Sequence, residues 1–123
     1  MIAGIGVDVV GIRRFTRWLA VPGLAERYFD PRELAAARSG GHTAFSLAAR
    51  FAAKEAFGKA LGIGLRGIAL KDIMVVNREK GAPELVVAGT ARAALQKNGA
   101  NRIFISLSHE GDTAIAMVVL EAV

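Results

Sequence analysis

The stretch Arg50-Phe51-Ala52-Ala53-Lys54-Glu55-Ala56-Phe57-Gly58-Lys59-Ala60-Leu61-Gly62 decides how the chain is read. Its alanines and long charged side chains are good helix formers, its phenylalanines add an apolar component, and Gly62 and Gly64 mark its end. The pattern predicts one long helix from about Thr43 to Leu61. Helical spacing sets Arg50 and Lys54 one turn apart and puts Glu55 and Lys59 on a neighbouring stripe. One carboxylate among three cations suits a metal ion and the anion it helps to hold, and the flanking glycines and apolar strands suggest a cleft.

Outward from this helix, residues 2–10 read as a strand, followed by a helix carrying Arg13, Arg14, Arg17 and Trp18. Pro22-Gly23 and Asp30-Pro31 break the next region into short pieces. Asp30 suits an N-cap, with Pro31 at the first helical position and Glu33 behind it. Beyond the long helix, Ile73–Val76 and Leu85–Val87 read as strands around Glu79-Lys-Gly-Ala-Pro83, and Thr90 to Lys97 as a helix. A last hairpin joins Ile103–Ser108 to Ala114–Leu120 through Glu110-Gly-Asp-Thr113. The nearly all-apolar second arm implies burial on both faces or a subunit contact. The expected fold class is α+β: one compact domain spanning 1–123, with a largely antiparallel sheet and a long central helix.

The 123 residues are 53% apolar, which excludes a disordered chain, and contain no cysteine, which excludes disulfides and thiolate chemistry. Asp8 interrupts the N-terminal apolar stretch and the arginines follow it, the wrong order for a secretory leader. No apolar run approaches a bilayer span. The expectation is a cytoplasmic protein that does not enter a membrane. A net charge of +5 favours an acidic protein, a phosphorylated ligand or a nucleic acid. One Trp and one Tyr give little stacking surface for single strands, so no nucleic-acid partner is expected.

Asp8 lies among β formers in Ile5-Gly-Val-Asp-Val-Val10, where an acid is unfavourable unless wet or paired. It reads either as an edge-strand aspartate or as a metal ligand, and Glu55 strengthens the second reading. Glu55 with Lys59 is equally an ordinary helix pair. Lys59 reads either as solvated or as a phosphate-stabilising cation. Arg50 and Lys54 extend the positive stripe, with an intrachain ion pair as the alternative for Arg50. Ser106 and Ser108 fall on one strand face and His109 on the other. Arg13, Arg14 and Arg17 give the first helix a dense basic face suited to an acidic protein.

Three segments in order, Gly4-Ile-Gly-Val-Asp-Val-Val10, Arg50–Ala56 with Lys59-Ala-Leu-Gly62, and Ile105-Ser-Leu-Ser-His109, resemble the holo-[acyl-carrier-protein] synthase family of 4'-phosphopantetheinyl transferases. The resemblance covers nearly the whole chain. It implies the 4'-phosphopantetheinyl transferase fold and transfer of 4'-phosphopantetheine from coenzyme A to a serine of apo acyl carrier protein, in support of fatty-acid synthesis. It further implies magnesium on Asp8 and Glu55, catalytic roles for Asp8, Glu55 and Lys59, and coenzyme contacts from Arg50, Lys54, Lys59, Ser108 and His109. Carrier docking falls to Arg13, Arg14 and Arg17, and the assembly to a homotrimer with coenzyme A between subunits. Two departures stand out: Gly11 replaces a usual Glu, and Phe29-Asp-Pro-Arg-Glu-Leu34 carries Asp30 where Thr is usual. A noncatalytic basic module for nucleic acid or an acidic protein is the alternative, and it leaves Asp8, Glu55 and Lys59 without a use.

Overall fold

A computed structural model describes all 123 residues. In chain order the elements are β1 (Ile2–Gly11), α1 (Arg13–Leu19), α2 (Leu24–Tyr28), α3 (Pro31–Ser39), α4 (Thr43–Ala60), a 3-10 turn (Leu70–Asp72), β2 (Ile73–Asn77), β3 (Pro83–Val87), α5 (Gly89–Asn98), β4 (Arg102–Glu110) and β5 (Thr113–Glu121). Both sheets are antiparallel: β1-β5-β4, with β5 in the centre, and β2-β3. No helix is long and apolar enough to cross a membrane.

The period-2 pattern of the strands fixes which face α4 covers. Gly6, Asp8 and Val10 of β1, Ala114, Ala116, Val118 and Leu120 of β5, and Ile103, Ile105 and Leu107 of β4 share one face, and the β5 residues are fully buried. Alanines 48, 52, 53 and 56 of α4 are also fully buried, so the helix approaches closely through small side chains. The approach is tightest over β1. A Cβ on Gly6 would stand 1.9 Å from the Ala56 carbonyl oxygen, and one on Gly4 would stand 1.9 Å from that of Ala60. These glycines are therefore seats for the helix backbone. Gly6→Ala is expected to destabilise the chain by about 2–3 kcal/mol through overpacking. Gly11→Ala, in open space, serves as the near-neutral control in the same thermal melts.

The opposite face of the sheet is uncovered. Three cross-strand rows form it: Ile5, Val119 and Phe104; Val7, Met117 and Ser106; Val9, Ile115 and Ser108. Ile5, Val7, Val9, Phe104 and Met117 are each 45–59% exposed. The apolar second arm of the hairpin is thus buried under α4 on one face only.

Asp30 caps α3 as its sequence predicts, in a full capping box with Pro31 at the first turn and Glu33 at the third position. Glu33 also has a second role. Its carboxylate is buried, accepting from Lys54 Nζ at 2.7 Å and from the Val75 amide at 3.1 Å, with Arg50 Nη1 3.8 Å away. Lys54 Nζ is fully buried and within hydrogen-bond distance of the carbonyls of Tyr28, Leu70 and Ile73 at 3.0, 2.9 and 2.7 Å. The Phe29 ring lies 4.9 Å from it. One ammonium thus ties α2, α3, the 3-10 turn and β2 to α4. Burial pushes its pKa down, and the Glu33 charge opposes that shift.

Candidate functional site

Gly6 lets α4 settle on β1, and two residues further along the same strand face stands Asp8. Across from it α4 presents Glu55 and Lys59, one turn apart. Lys59 Nζ donates to Asp8 Oδ1 and to the Val7 carbonyl, both at 3.0 Å. The Asp8 side chain is 15% exposed and that of Lys59 53%, so the pair opens to solvent. Glu55 is half-buried, and its carboxylate makes no hydrogen bond within the chain. Burial pushes its pKa up, the Asp8 charge adds to that, and Lys59 and Arg14 act in the opposite direction.

Asp8 and Glu55 repel one another, and Lys59 is bonded to the first of them. Their donors are oxygen, so these are the two residues that could hold a hard divalent cation. The three residues that the helix pattern and the strand interruption single out are thus brought together.

The other expected contacts separate. Lys54, expected to reach coenzyme phosphates, is instead buried and sequestered in the Glu33 network. That expectation is corrected: consecutive helical residues lie about 100° apart, and the Lys54 direction leads into the core. Arg50 is also buried and held within the chain, donating through Nη1 to the Val75 carbonyl and through Nε to Ser46 Oγ at 3.2 Å. Burial lowers its pKa, and Glu33 opposes the shift. Its ion-pair alternative is the one observed, and Arg50 also borders two small clefts, one with Phe45 and Ser46 and one with Arg32 and Met74.

His109 shares the α4-facing side of β4, where its ring meets Phe45 edge-on at 4.6 Å between centroids. Ser108 is on the open apolar face, so the two neighbours serve different surfaces. Asp8 and Leu107 both flank Ala116 of the central strand, with His109 two residues beyond Leu107. His109 and Asp8 are therefore separated by two strand spacings, roughly 10 Å, and by a further step along the sheet. Phe45 and Glu33 are the participants that sequence reasoning missed. For Glu33 a signal existed: two cations set among Ala48, Ala49, Ala52 and Ala53 require a buried acid.

On α1, Arg13 forms an exposed pair with Asp112 at 3.2 Å. Arg14 and Arg17 are exposed. Trp18 is half-buried and packs on Phe15 and Phe51, a rim position as its sequence context suggests.

A carboxylate pair with a lysine, held by a helix on a Gly-x-Gly strand, defines a class. The family model of the ACPS branch of the 4'-phosphopantetheinyl transferase superfamily matches residues 4–118, and the chain belongs to that superfamily. Its similar relatives are holo-[acyl-carrier-protein] synthases. That of Treponema denticola is 51% identical over 124 residues, covering 98% of this chain and 99% of the relative. That of Geotalea daltonii is 47% identical over 124 residues, with the same two coverages. Among solved structures, the Neisseria meningitidis synthase superposes with a TM-score of 0.90 at 38% identity, covering 98% of this chain and 99% of that one. The Bacillus anthracis synthase, solved in complex with CoA (3',5'-ADP), gives 0.83 at 32% identity, covering 100% and 99%. The α+β fold with its antiparallel sheet and central helix is the fold of these enzymes.

Proposed function

We propose that residues 1–123 act as one domain that transfers 4'-phosphopantetheine from coenzyme A to a serine of apo acyl carrier protein, supporting fatty-acid synthesis. The observation that carries this reading is the Asp8–Glu55–Lys59 cluster on a chain of this family. The acceptor serine oxygen forms a bond to the phosphorus on the pantetheine side. The bond from that phosphorus to the bridging pyrophosphate oxygen breaks, and adenosine 3',5'-bisphosphate leaves. Asp8 and Glu55 are the residues that would hold magnesium, and the ion would supply positive charge beside the pyrophosphate. Glu55 accepts the serine proton directly or through one water. Lys59 turns from Asp8 to the phosphate oxygens and stabilises the charge that develops there. Arg13, Arg14 and Arg17 attract the acidic carrier, and the reaction takes place in the cytoplasm.

Purified protein with apo carrier, coenzyme A and magnesium is expected to increase the carrier mass by one phosphopantetheine, and a chelator is expected to stop the reaction. An unchanged mass on several folded carriers would refute the assignment.

A homotrimer with coenzyme A between subunits is part of the same reading. Two observations support it: the open apolar sheet face, and the distance between His109 and the Asp8 cluster within one chain. A coenzyme bridging His109 of one copy and Asp8, Glu55 and Lys59 of the next would use both ends. Light scattering is expected to give three times the chain mass, and Val7→Asp on the open face is expected to lower it. A fully active monomer at assay concentration would rule the trimer out.

A further inference from the structure

The turn that ends α5 carries chemistry that the transfer reaction does not use. Asn98 is the last helical residue, and Gly99 closes the helix in the left-handed conformation, at φ 92°. The Gly99 amide donates to the carbonyls of Leu95 and Gln96 at 3.2 and 3.1 Å. Gln96, Lys97, Asn98 and Gly99 are all exposed, whereas Leu95 and Ala100 on either side are buried. The turn is thus solvated and anchored at both ends, so it opens without disturbing the core. Asn77 and Asn101, the other asparagines of the chain, are each followed by arginine. The Asn101 side chain is also held on both sides: Nδ2 donates to the Val123 carbonyl at 3.1 Å, and Oδ1 accepts from the Val123 amide at 3.0 Å.

A glycine nitrogen has no neighbouring Cβ to hinder its attack on the side chain before it, and asparagine is the thermolabile side chain that offers ammonia as a leaving group. We propose that Asn98-Gly99 is a site of self-modification gated by the α5 cap. When the turn opens, the Gly99 nitrogen loses its proton and bonds to Asn98 Cγ. The Cγ–Nδ2 bond breaks, ammonia departs and a cyclic imide remains. Water then adds to one of the two imide carbonyls. Breaking the bond from Cγ to the Gly99 nitrogen gives aspartate, and breaking the bond from the backbone carbonyl carbon gives isoaspartate. Isoaspartate lengthens the main chain by one carbon and displaces the Gly99 amide from its two carbonyls. Either product sets a carboxylate at the helix end, where the peptide dipoles already concentrate negative charge. Asn98 borders a small cleft with Leu61, Ile63, Ala94 and Lys97, so the change falls where the end of α5 meets the end of α4. While the turn is closed, its two hydrogen bonds occupy the nucleophile.

Ageing the purified full chain at physiological temperature and mildly alkaline pH tests the site, with peptide mass spectrometry and isoaspartyl methyltransferase labelling as readouts. Isoaspartate is expected to accumulate at residue 98 at least about 10-fold faster than at residues 77 and 101. At residue 98 it is expected to form about 5- to 10-fold more slowly in the folded chain than in urea, the factor that a helix-end hydrogen bond supplies. The aged parent is expected to lose a few degrees of melting midpoint. Asn98→Gln keeps the amide but makes ring closure unfavourable, and it is expected to keep its midpoint through the same ageing. Asn98→Asp, measured without ageing, carries the charge alone and is expected to lose less than the isoaspartyl fraction. No isoaspartate at residue 98 of the folded chain, or a rate there no faster than at Asn77 and Asn101, would overturn the site. Equal rates in the folded chain and in urea would overturn the gate, because the cap would then place no restraint on the nitrogen.

Discussion

Alanine at Asp8 or Glu55 is expected to reduce carrier modification by about 10²–10⁴-fold, the range for loss of a positioned proton acceptor or of a metal ligand. The fold is expected to survive. Asp8 is partnered by a half-exposed lysine, and such pairs are worth about 1 kcal/mol or less. The Glu55 side chain has no hydrogen bond within the chain to lose, and its carboxylate is raised in pKa by burial and by Asp8. The sign of its effect on stability follows. A carboxyl whose pKa is raised by folding supports the fold below its unfolded pKa and loses that support as pH rises through the folded value. In chelator at neutral pH, Glu55→Gln is therefore expected to melt above the parent, with the difference vanishing on acidification below the carboxylate range. Thermal melts across pH read the stability, and carrier mass reads the activity. Near-parental turnover in a folded Asp8→Ala or Glu55→Ala chain would remove that residue from the mechanism.

The second large effect is expected far from the chemistry. Lys54→Met leaves Glu33 buried without its closest cation and strips a donor from the carbonyls of Tyr28, Leu70 and Ile73. Breaking a buried pair from one side costs about 3–5 kcal/mol, a large share of the 5–15 kcal/mol that ordinary domains possess. The urea midpoint is expected to fall accordingly. A midpoint within error of the parent would show that the ammonium does not hold the elements together. Burial of the lysine is a separate question from benefit: a well-packed apolar pair at both positions is often tolerated better than one broken ion pair.

Adjacent residues illustrate how far the amino-acid sequence could be read. Helix periodicity grouped Glu55 with Lys59, and the strand interruption singled out Asp8, because both follow from local spacing. The α3 cap was equally legible, since Asp30, Pro31 and Glu33 act within four residues. Lys54, one position from Glu55, was misread because the direction of a helical side chain acquires meaning only when α3 and β2 are in place. The acid that neutralises it is 21 residues away in sequence. His109 was correctly set opposite Ser108 by strand alternation. Its separation from Asp8 depends on β5 lying between β1 and β4, an order that no local pattern records.

That strand order also governs when the molecule can fold during its own synthesis. Strand β1 has a single sheet neighbour, β5, and the register pairs Gly4 with Leu120 and Gly11 with Thr113. After β1 is made, the ribosome supplies its partner only when about a hundred further residues have been added. At typical elongation rates that is on the order of ten seconds. Throughout this interval Ile5, Val7 and Val9 belong to a strand without a ladder, available to any other unpaired edge. The Asp8 cluster, although two of its members are in place once α4 is made, acquires its sheet only after β5 has emerged from the tunnel. Assembly of the Asp8 cluster therefore waits for β5, and nascent chains that stall before Thr113 lack the strand that carries Asp8's only ladder.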